Sequence, residues 1–280
     1  MRDRSVPKVL CHPDGKKSCG ACCGMYNHRQ VGEEATRQRL LERTRAFFRD
    51  ADIEDEGSLK AFREAWEDGA SEKLMTGLPS CPFLGYVNLN DERDEGADVV
   101  GCLVHPLQND GIDGRDCGVY DRFICEDYLC AAHDVLSEVE VRWILETVDD
   151  SYLYGLAITN PKYVKKLLEL VAQRVGTMPD SRVLEDEAVL EAGRACFELL
   201  RDWPYRDGDG IFGQVKVAGA LETSRRAMPA DQLDVDPEPV DALLACLGSQ
   251  FETVDELHEG RRSVDGAVDS LAQAVEASLP

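Results

Sequence analysis

The residues with the most chemistry to offer are the cysteines. All but Cys196 and Cys246 of the eleven lie between Cys11 and Cys130. The densest run is Cys11-x7-Cys19-Gly20-Ala21-Cys22-Cys23. A second group is Cys81-Pro82-Phe83-Leu84, followed by Gly101-Cys102-Leu103-Val104-His105-Pro106. A third is Arg122-Phe123-Ile124-Cys125-Glu126-Asp127-Tyr128-Leu129-Cys130. Thiolate is a soft ligand, and sets of four suit zinc or an iron–sulfur cluster. The step from Cys19 to Cys22 lets two thiolates reach one ion, because Gly20 permits a tight turn that aims backbone N–H groups at the sulfurs. Cys22 and Cys23 are consecutive, so their side chains point in different directions. Either one binds while the other packs, or the two serve neighbouring metals of a cluster. Eight cysteines (Cys11, Cys19, Cys22, Cys23, Cys81, Cys102, Cys125 and Cys130) are enough for two four-ligand sites.

Free cysteine is also a small hydrophobe that is often buried. That reading suits Cys196, which shares a helical stripe with Val189, Gly193 and Leu200, and it suits Cys246. It does not suit the N-terminal set, whose density far exceeds average composition. His12, His28, His105 and His133 lie near cysteines, and His105 is the best placed as a ligand. A surface or hydrogen-bonding role is the favoured reading for them. Asp207-Gly208-Asp209-Gly210 is too acidic to cradle phosphate, and Tyr205 and Lys216 stand where a calcium loop needs Asp and Glu, so it reads as a turn. Gly208, Gly210 and Gly213 follow no apolar strand and make no dinucleotide fingerprint. Neither a G-x-S-x-G nor a P-loop pattern is present, and carboxylates are too many for a catalytic pair to stand out.

The elements that must position the cysteines follow from periodicity and turn chemistry. An amphipathic helix is expected from about Glu33 to Arg49, with Leu40, Leu41, Thr44, Phe47 and Phe48 on one face. A second follows Gly57, with Ser58 as N-cap and Leu59, Phe62 and Trp66 at helical spacing. Leu84 to Leu89 and Val99 to Val104 read as a β-hairpin around the acidic loop Asp91–Gly96. Pairing those strands would bring Cys81 and Cys102 to the same end. Beyond them the chain reads as helices: Val135 to Tyr154, a helix opened by Asn160-Pro161, Leu184 to Leu200, one opened by Pro239, and one from Val254 that Gly260 and Gly266 could interrupt. Trp203 to Pro237 is a long loop or an ordered excursion.

The chain of 280 residues has 54 acidic and 31 basic residues and a net charge of −23. Such a surface repels phosphate backbones and anionic headgroups, so nucleic acid and membrane are not expected partners. No run of about 18 apolar residues is present to span a bilayer. The start, Met1-Arg2-Asp3-Arg4-Ser5, lacks the apolar core of a secretory signal, and a cytoplasmic location is expected. Thiols there stay reduced, and an odd cysteine count argues against a fully paired disulfide framework, so metal or redox chemistry is the expected use.

The order C-G-A-C-C, C-P-F-L, C-x-x-H and R-x-x-C-x-x-Y-x-C, over residues 11 to 130, resembles the YkgJ cysteine-cluster family, a zinc- or iron-chelating domain with a CxxCxxCC signature. The resemblance implies Cys19, Cys22, Cys23, Cys81, Cys102 and Cys125 as ligands, then Cys130, with Cys11 set further from the CGACC element than is usual in the family. It leans toward iron–sulfur chemistry, since members include a flagellin lysine methylase carrying this domain. Phe123 and Glu126 depart from the family pattern, and Cys117 has no counterpart. One cluster plus bystanders is therefore preferred.

The expected fold is mainly α with a small β-hairpin: a cysteine-rich, metal-centred N-terminal domain (residues 1–135) plus a C-terminal helical domain (residues 136–280). The expected function is a metal-binding protein carrying a cysteine-ligated iron–sulfur cluster, 4Fe–4S in form, in redox chemistry or as part of a modification enzyme. The alternative is a zinc-binding structural or metal-handling module without catalysis. The C-terminal helices are the expected place for a protein partner.

Overall fold

The computed structural model describes residues 9–30, 32–69, 72–89, 96, 98–206, 214–217, 220–223 and 233–279. The chain is mainly helical, with two small antiparallel hairpins among the described residues, one more than expected. It divides into two compact units. The first is Val9–Leu129 together with Asp150–Gly155; the second is Cys130–Asp149 together with the chain from Leu156 onward. The division falls a few residues before the expected boundary at 135. No helix among the described residues is long and apolar enough to cross a membrane.

In the first unit, α1 (Glu33–Asp50) and α2 (Glu56–Trp66) carry the apolar stripes expected of them, except that Phe48 of α1 turns to solvent, one position past the buried Phe47. Their inner faces supply Phe47, Leu59 and Phe62, which pack with Phe83, Leu103, Val104 and Cys117. Phe83 stacks on Phe62 at 5.8 Å between ring centres and meets Phe47 edge-on at 6.0 Å. Such aromatic pairs contribute beyond their buried area. The cap of α2 is Asp55, whose carboxylate accepts from Gly57 N–H, and not Ser58; the Ser58 hydroxyl accepts from Asp52 N–H instead. The hairpin forms from β1 (Leu84–Tyr86) and β2 (Val100–Cys102), with Leu84 opposite Cys102 and Tyr86 opposite Val100. Both strands are shorter than expected, although Leu103 N–H to Phe83 O (2.8 Å) and Val87 N–H to Val99 O (2.9 Å) extend the pairing at each end. Thr44 of α1 ties the sheet to the helix, accepting from Tyr86 N–H at 2.9 Å. A short helix, α3 (Arg122–Asp127), is capped by Asp121 and buries none of its side chains.

Asp150–Gly155 joins this unit through specific bonds. Ser151 Oγ accepts from Ser18 N–H at 3.0 Å, Tyr26 Oη donates to Tyr152 O at 2.7 Å, and Tyr154 Oη donates to Leu10 O at 2.8 Å. The expected single helix over Val135–Tyr154 is therefore three: α4 (Ala132–Val135), α5 (Glu138–Thr147) and α6 (Ser151–Ile158). A capping box between Ser137 and Glu140 restarts the helix at α5.

The second unit is built on α7 (Pro161–Val175), α8 (Glu187–Glu198), a hairpin of β3 (Gln214–Val217) and β4 (Ala220–Thr223), α9 (Asp241–Cys246) and α10 (Val254–Ser278). Helix α10 packs against α7 and α8. Asn160 caps α7 as expected, accepting from Tyr163 N–H. The stretch expected as one helix over Leu184–Leu200 begins as a turn of 3₁₀ helix, and α8 opens only after the Asp186 cap. Helix α10 runs unbroken through Gly260 and Gly266. At Gly260 a Cβ would stand 2.8 Å from the Phe251 ring, so close packing and not a break accounts for that glycine. The buried Arg261 holds Asp241 with bonds of 2.8 and 2.7 Å and Glu238 with one of 2.7 Å, joining α9 to α10. Of the Trp203–Pro237 excursion, residues 203–206, the β3–β4 hairpin and residues 233–237 are described. The Asp207–Gly210 turn, the glycine at 213, most of the acidic loop and the first residues of the chain lie outside the described residues.

Candidate metal centre

The Cys19–Cys23 segment closes on itself. Ala21–Cys23 forms one turn of 3₁₀ helix, Cys23 N–H and Met25 N–H both donate to Gly20 O at 3.1 Å, and Cys19 N–H donates to Cys11 O at 2.9 Å. Gly24 then takes φ +91°, a region L side chains rarely adopt, and a Cβ there would stand 2.6 Å from Ser80 Cα. That close approach lays the turn against the next cysteine loop, and Cys81 N–H donates to Cys23 O at 2.9 Å. From Cys81 the chain enters β1, whose partner β2 ends at Cys102. Both thiols pack against the aromatic core of the unit.

The result is a group of thiols from three parts of the sequence within electrostatic reach of one another. Cys23 feels Cys22, Cys81 and Cys102; Cys102 feels Cys81 and Cys125; Cys125 feels Cys81 and Cys22. The thiol of Cys23 donates to Cys22, which draws Cys22 down to about 7 and pushes Cys23 well up. Burial pushes Cys81 and Cys102 up, Cys102 to about 12, and partial shielding pushes up the more exposed Cys125. Against that burial stand backbone N–H donors aimed at sulfur: Phe83 and Val119 at Cys81, and Val104 at Cys102. Such bonds stabilise thiolate charge. As the side chains lie, no three Cys, His, Asp or Glu groups among the described residues stand close enough to hold one metal ion.

The remaining expected ligands are placed differently. Cys19 lies beside Tyr26, and Cys11 presents its carbonyl to Cys19. Cys130 belongs to the second unit, where its Sγ lies 3.6 Å from His133 Nδ1. Cys117 is buried in the aromatic core. His105 caps the turn after Cys102, its Nδ1 accepting from Leu107 N–H at 3.1 Å, and His28 Nδ1 accepts from Gln30 N–H; both are hydrogen-bonding histidines. His12 lies near His105, and burial lowers its pKa.

Four further residues complete the surroundings. Gly118 backs Cys81, since a Cβ there would be 3.8 Å from Cys81 Sγ and 3.0 Å from Arg115 O. Tyr120 stands beside Cys22, Cys23 and Cys81, its hydroxyl pushed up to about 12 mainly by burial. Arg43 donates to Cys81 O at 3.2 Å. Arg115 lies near Cys102 and Cys125 and holds Asp113 and Glu126. An arginine among Leu40, Thr44 and Phe47 on the buried stripe of α1 was the one sequence signal for this set; the Cys117–Tyr120 loop carried none.

No protein-family model matches the chain, and neither a curated protein nor a solved structure matches it.

Proposed function

We propose that the first unit is a metal-binding module in which Cys22, Cys23, Cys81, Cys102 and Cys125 ligate an iron–sulfur cluster. The observation that carries this reading is the convergence of five thiols from three separated sequence groups, with three backbone N–H groups directed at two of the sulfurs. Thiols that merely fill space need no N–H donors. The donor set fits such a centre in kind, because every candidate ligand is soft sulfur. It fits in number too, since one tetrahedral ion takes four thiolates and five are gathered. These cysteines would hold the metal as thiolates. The likeness to the YkgJ cysteine-cluster family supports the same reading, with a role in redox chemistry or in a modification enzyme.

When bound, the cluster would supply one-electron chemistry or a Lewis-acidic iron. The protein's own part is to hold the thiols in place, aim N–H donors at them and back them with a dry aromatic core. A second reading is structural zinc on four of the five. Cys23, Cys81 and Cys102 are each in electrostatic reach of the other two, and Cys22 or Cys125 would supply the fourth thiolate.

Metal and acid-labile sulfide content, with a visible spectrum of protein purified without oxygen, tests both. Iron with stoichiometric sulfide and a brown colour is expected. Colourless protein carrying zinc would transfer the proposal to the second reading, and protein that takes up neither metal on reconstitution would end it.

A further inference from the structure

Helix α3 sets apolar side chains in water, where they serve no core. Phe123 is 65% exposed, Ile124 46%, Tyr128 44% and Leu129 47%, and the helix buries none of its side chains. Polar bonds hold the segment instead. Asp121 accepts from Ile124 N–H at 2.9 Å, Asp116 accepts from Arg122 N–H at 2.9 Å, and Arg115 donates to Glu126 at 2.6 Å. Single exposed apolar residues are ordinary, but four within seven consecutive residues form a patch. A patch rimmed by polar residues marks a surface that another body covers.

The charge around the patch selects that body. Asp113, Asp116, Asp121, Glu126 and Asp127 stand in or beside α3, against Arg115 and Arg122. Arg115 is engaged by Asp113 and Glu126, and Arg122 lies over the Phe123 ring, 5.2 Å from its centre. The face is therefore net negative. A second copy of a chain of net charge −23 would bring like charge against it, and so would phosphate or an anionic headgroup. We propose that α3 and the residues to Leu129 form a docking face for a basic protein segment, one that sets apolar side chains among lysines and arginines. Phe123, Ile124 and Leu129 are the apolar anchors, and Asp116 and Asp127 belong to the acidic rim. The inference does not depend on the cysteines taking up a metal.

So acidic a chain would attract any polycation, and the sign of a substitution separates the face from the net charge. The probe is a short fluorescein-labelled peptide of Lys and Leu at helical spacing. It is titrated by anisotropy into the full reduced chain at physiological ionic strength, with the analogue carrying Glu for Lys as control. Phe123→Asp is expected to weaken binding by about 10-fold or more, as loss of a central aromatic anchor does, although it adds negative charge. Met178→Asp adds the same charge at a site 60% exposed in the second unit and is expected to bind as tightly as the wild type or tighter. Asp127→Asn is expected to weaken binding by about 2- to 5-fold, and the Glu analogue not to bind. Equal binding by Phe123→Asp and Met178→Asp would overturn the inference, as would a wild-type chain that ignores the Lys–Leu peptide or takes the Glu analogue as well. Two further results would overturn it. Loss of folding or a lowered denaturation midpoint in Phe123→Asp would show that the chain itself covers the face. A wild-type dimer that Phe123→Asp dissolves would give the face to a second copy.

Discussion

Cys196 of the second unit and Cys102 of the first are both shielded from water and are bonded oppositely. In the second unit, Cys196 is fully buried and its thiol donates to Ala267 O at 3.4 Å. Burial pushes it to about 12 and Cys246 to about 11, against the opposing pulls of Arg174 and Lys162. In the first unit, Cys102 is pushed to a similar level, but Cys81 repels it and Val104 N–H points at its sulfur. A thiol that donates its hydrogen bond to a helix carbonyl is settled as a neutral, structural group. A sulfur that receives N–H bonds is prepared to carry negative charge. Burial therefore does not separate a packing cysteine from a candidate ligand; the direction of the hydrogen bond does.

The largest effect should come from testing that direction. Cys102→Ser is expected to lose more than the roughly 10- to 100-fold in metal affinity that an outer-shell change costs, and Cys22→Ser to follow it, while Cys196→Ser keeps full metal content. Equal loading in all three, read by elemental analysis, would erase the distinction between the units. Next in size is a change confined to the second unit. Arg261→Ala leaves Asp241 buried without its partner and should cost about 3–5 kcal/mol in chemical denaturation, with metal content of the surviving folded protein unchanged.

A smaller effect couples fold to site in the first unit. Gly24→Ala meets both a positive φ and Ser80, and should cost roughly 1–3 kcal/mol while lowering metal affinity, because the Cys22–Cys23 turn no longer lies against the Cys81 loop. Stability lost with metal affinity intact would show that the two loops need not meet. The smallest is Thr253→Ala, which removes the capping box of α10 and should cost about 1 kcal/mol, with no metal phenotype.

What could be read from the sequence was local. The α1 stripe, the Asn160-Pro161 cap and the pairing that sets Cys102 opposite Leu84 follow from periodicity and turn chemistry over a few residues. So did the structural role of Cys196. The break within Val135–Tyr154 was also signalled, by Ser137 and Glu140 at capping-box spacing, but the apolar residues on either side concealed it. Other features were not legible because they depend on contacts distant in sequence. Ser18 and Ser151 meet across more than a hundred residues, and that bond draws Asp150–Gly155 into the first unit. Val119 N–H reaches Cys81 from a loop distant in sequence. The cysteine groups were visible as groups; which thiols share a region was not, and Cys130, adjacent in sequence to the third group, falls in the other unit.

X-ray absorption at the metal edge, on the full chain purified without oxygen, tests the central claim most directly. The account predicts bound iron with a first shell of sulfur at about 2.3 Å, as thiolate ligation gives, and a second shell of neighbouring iron. A first shell of nitrogen and oxygen, or the same sulfur shell persisting undiminished in Cys102→Ser, would contradict it.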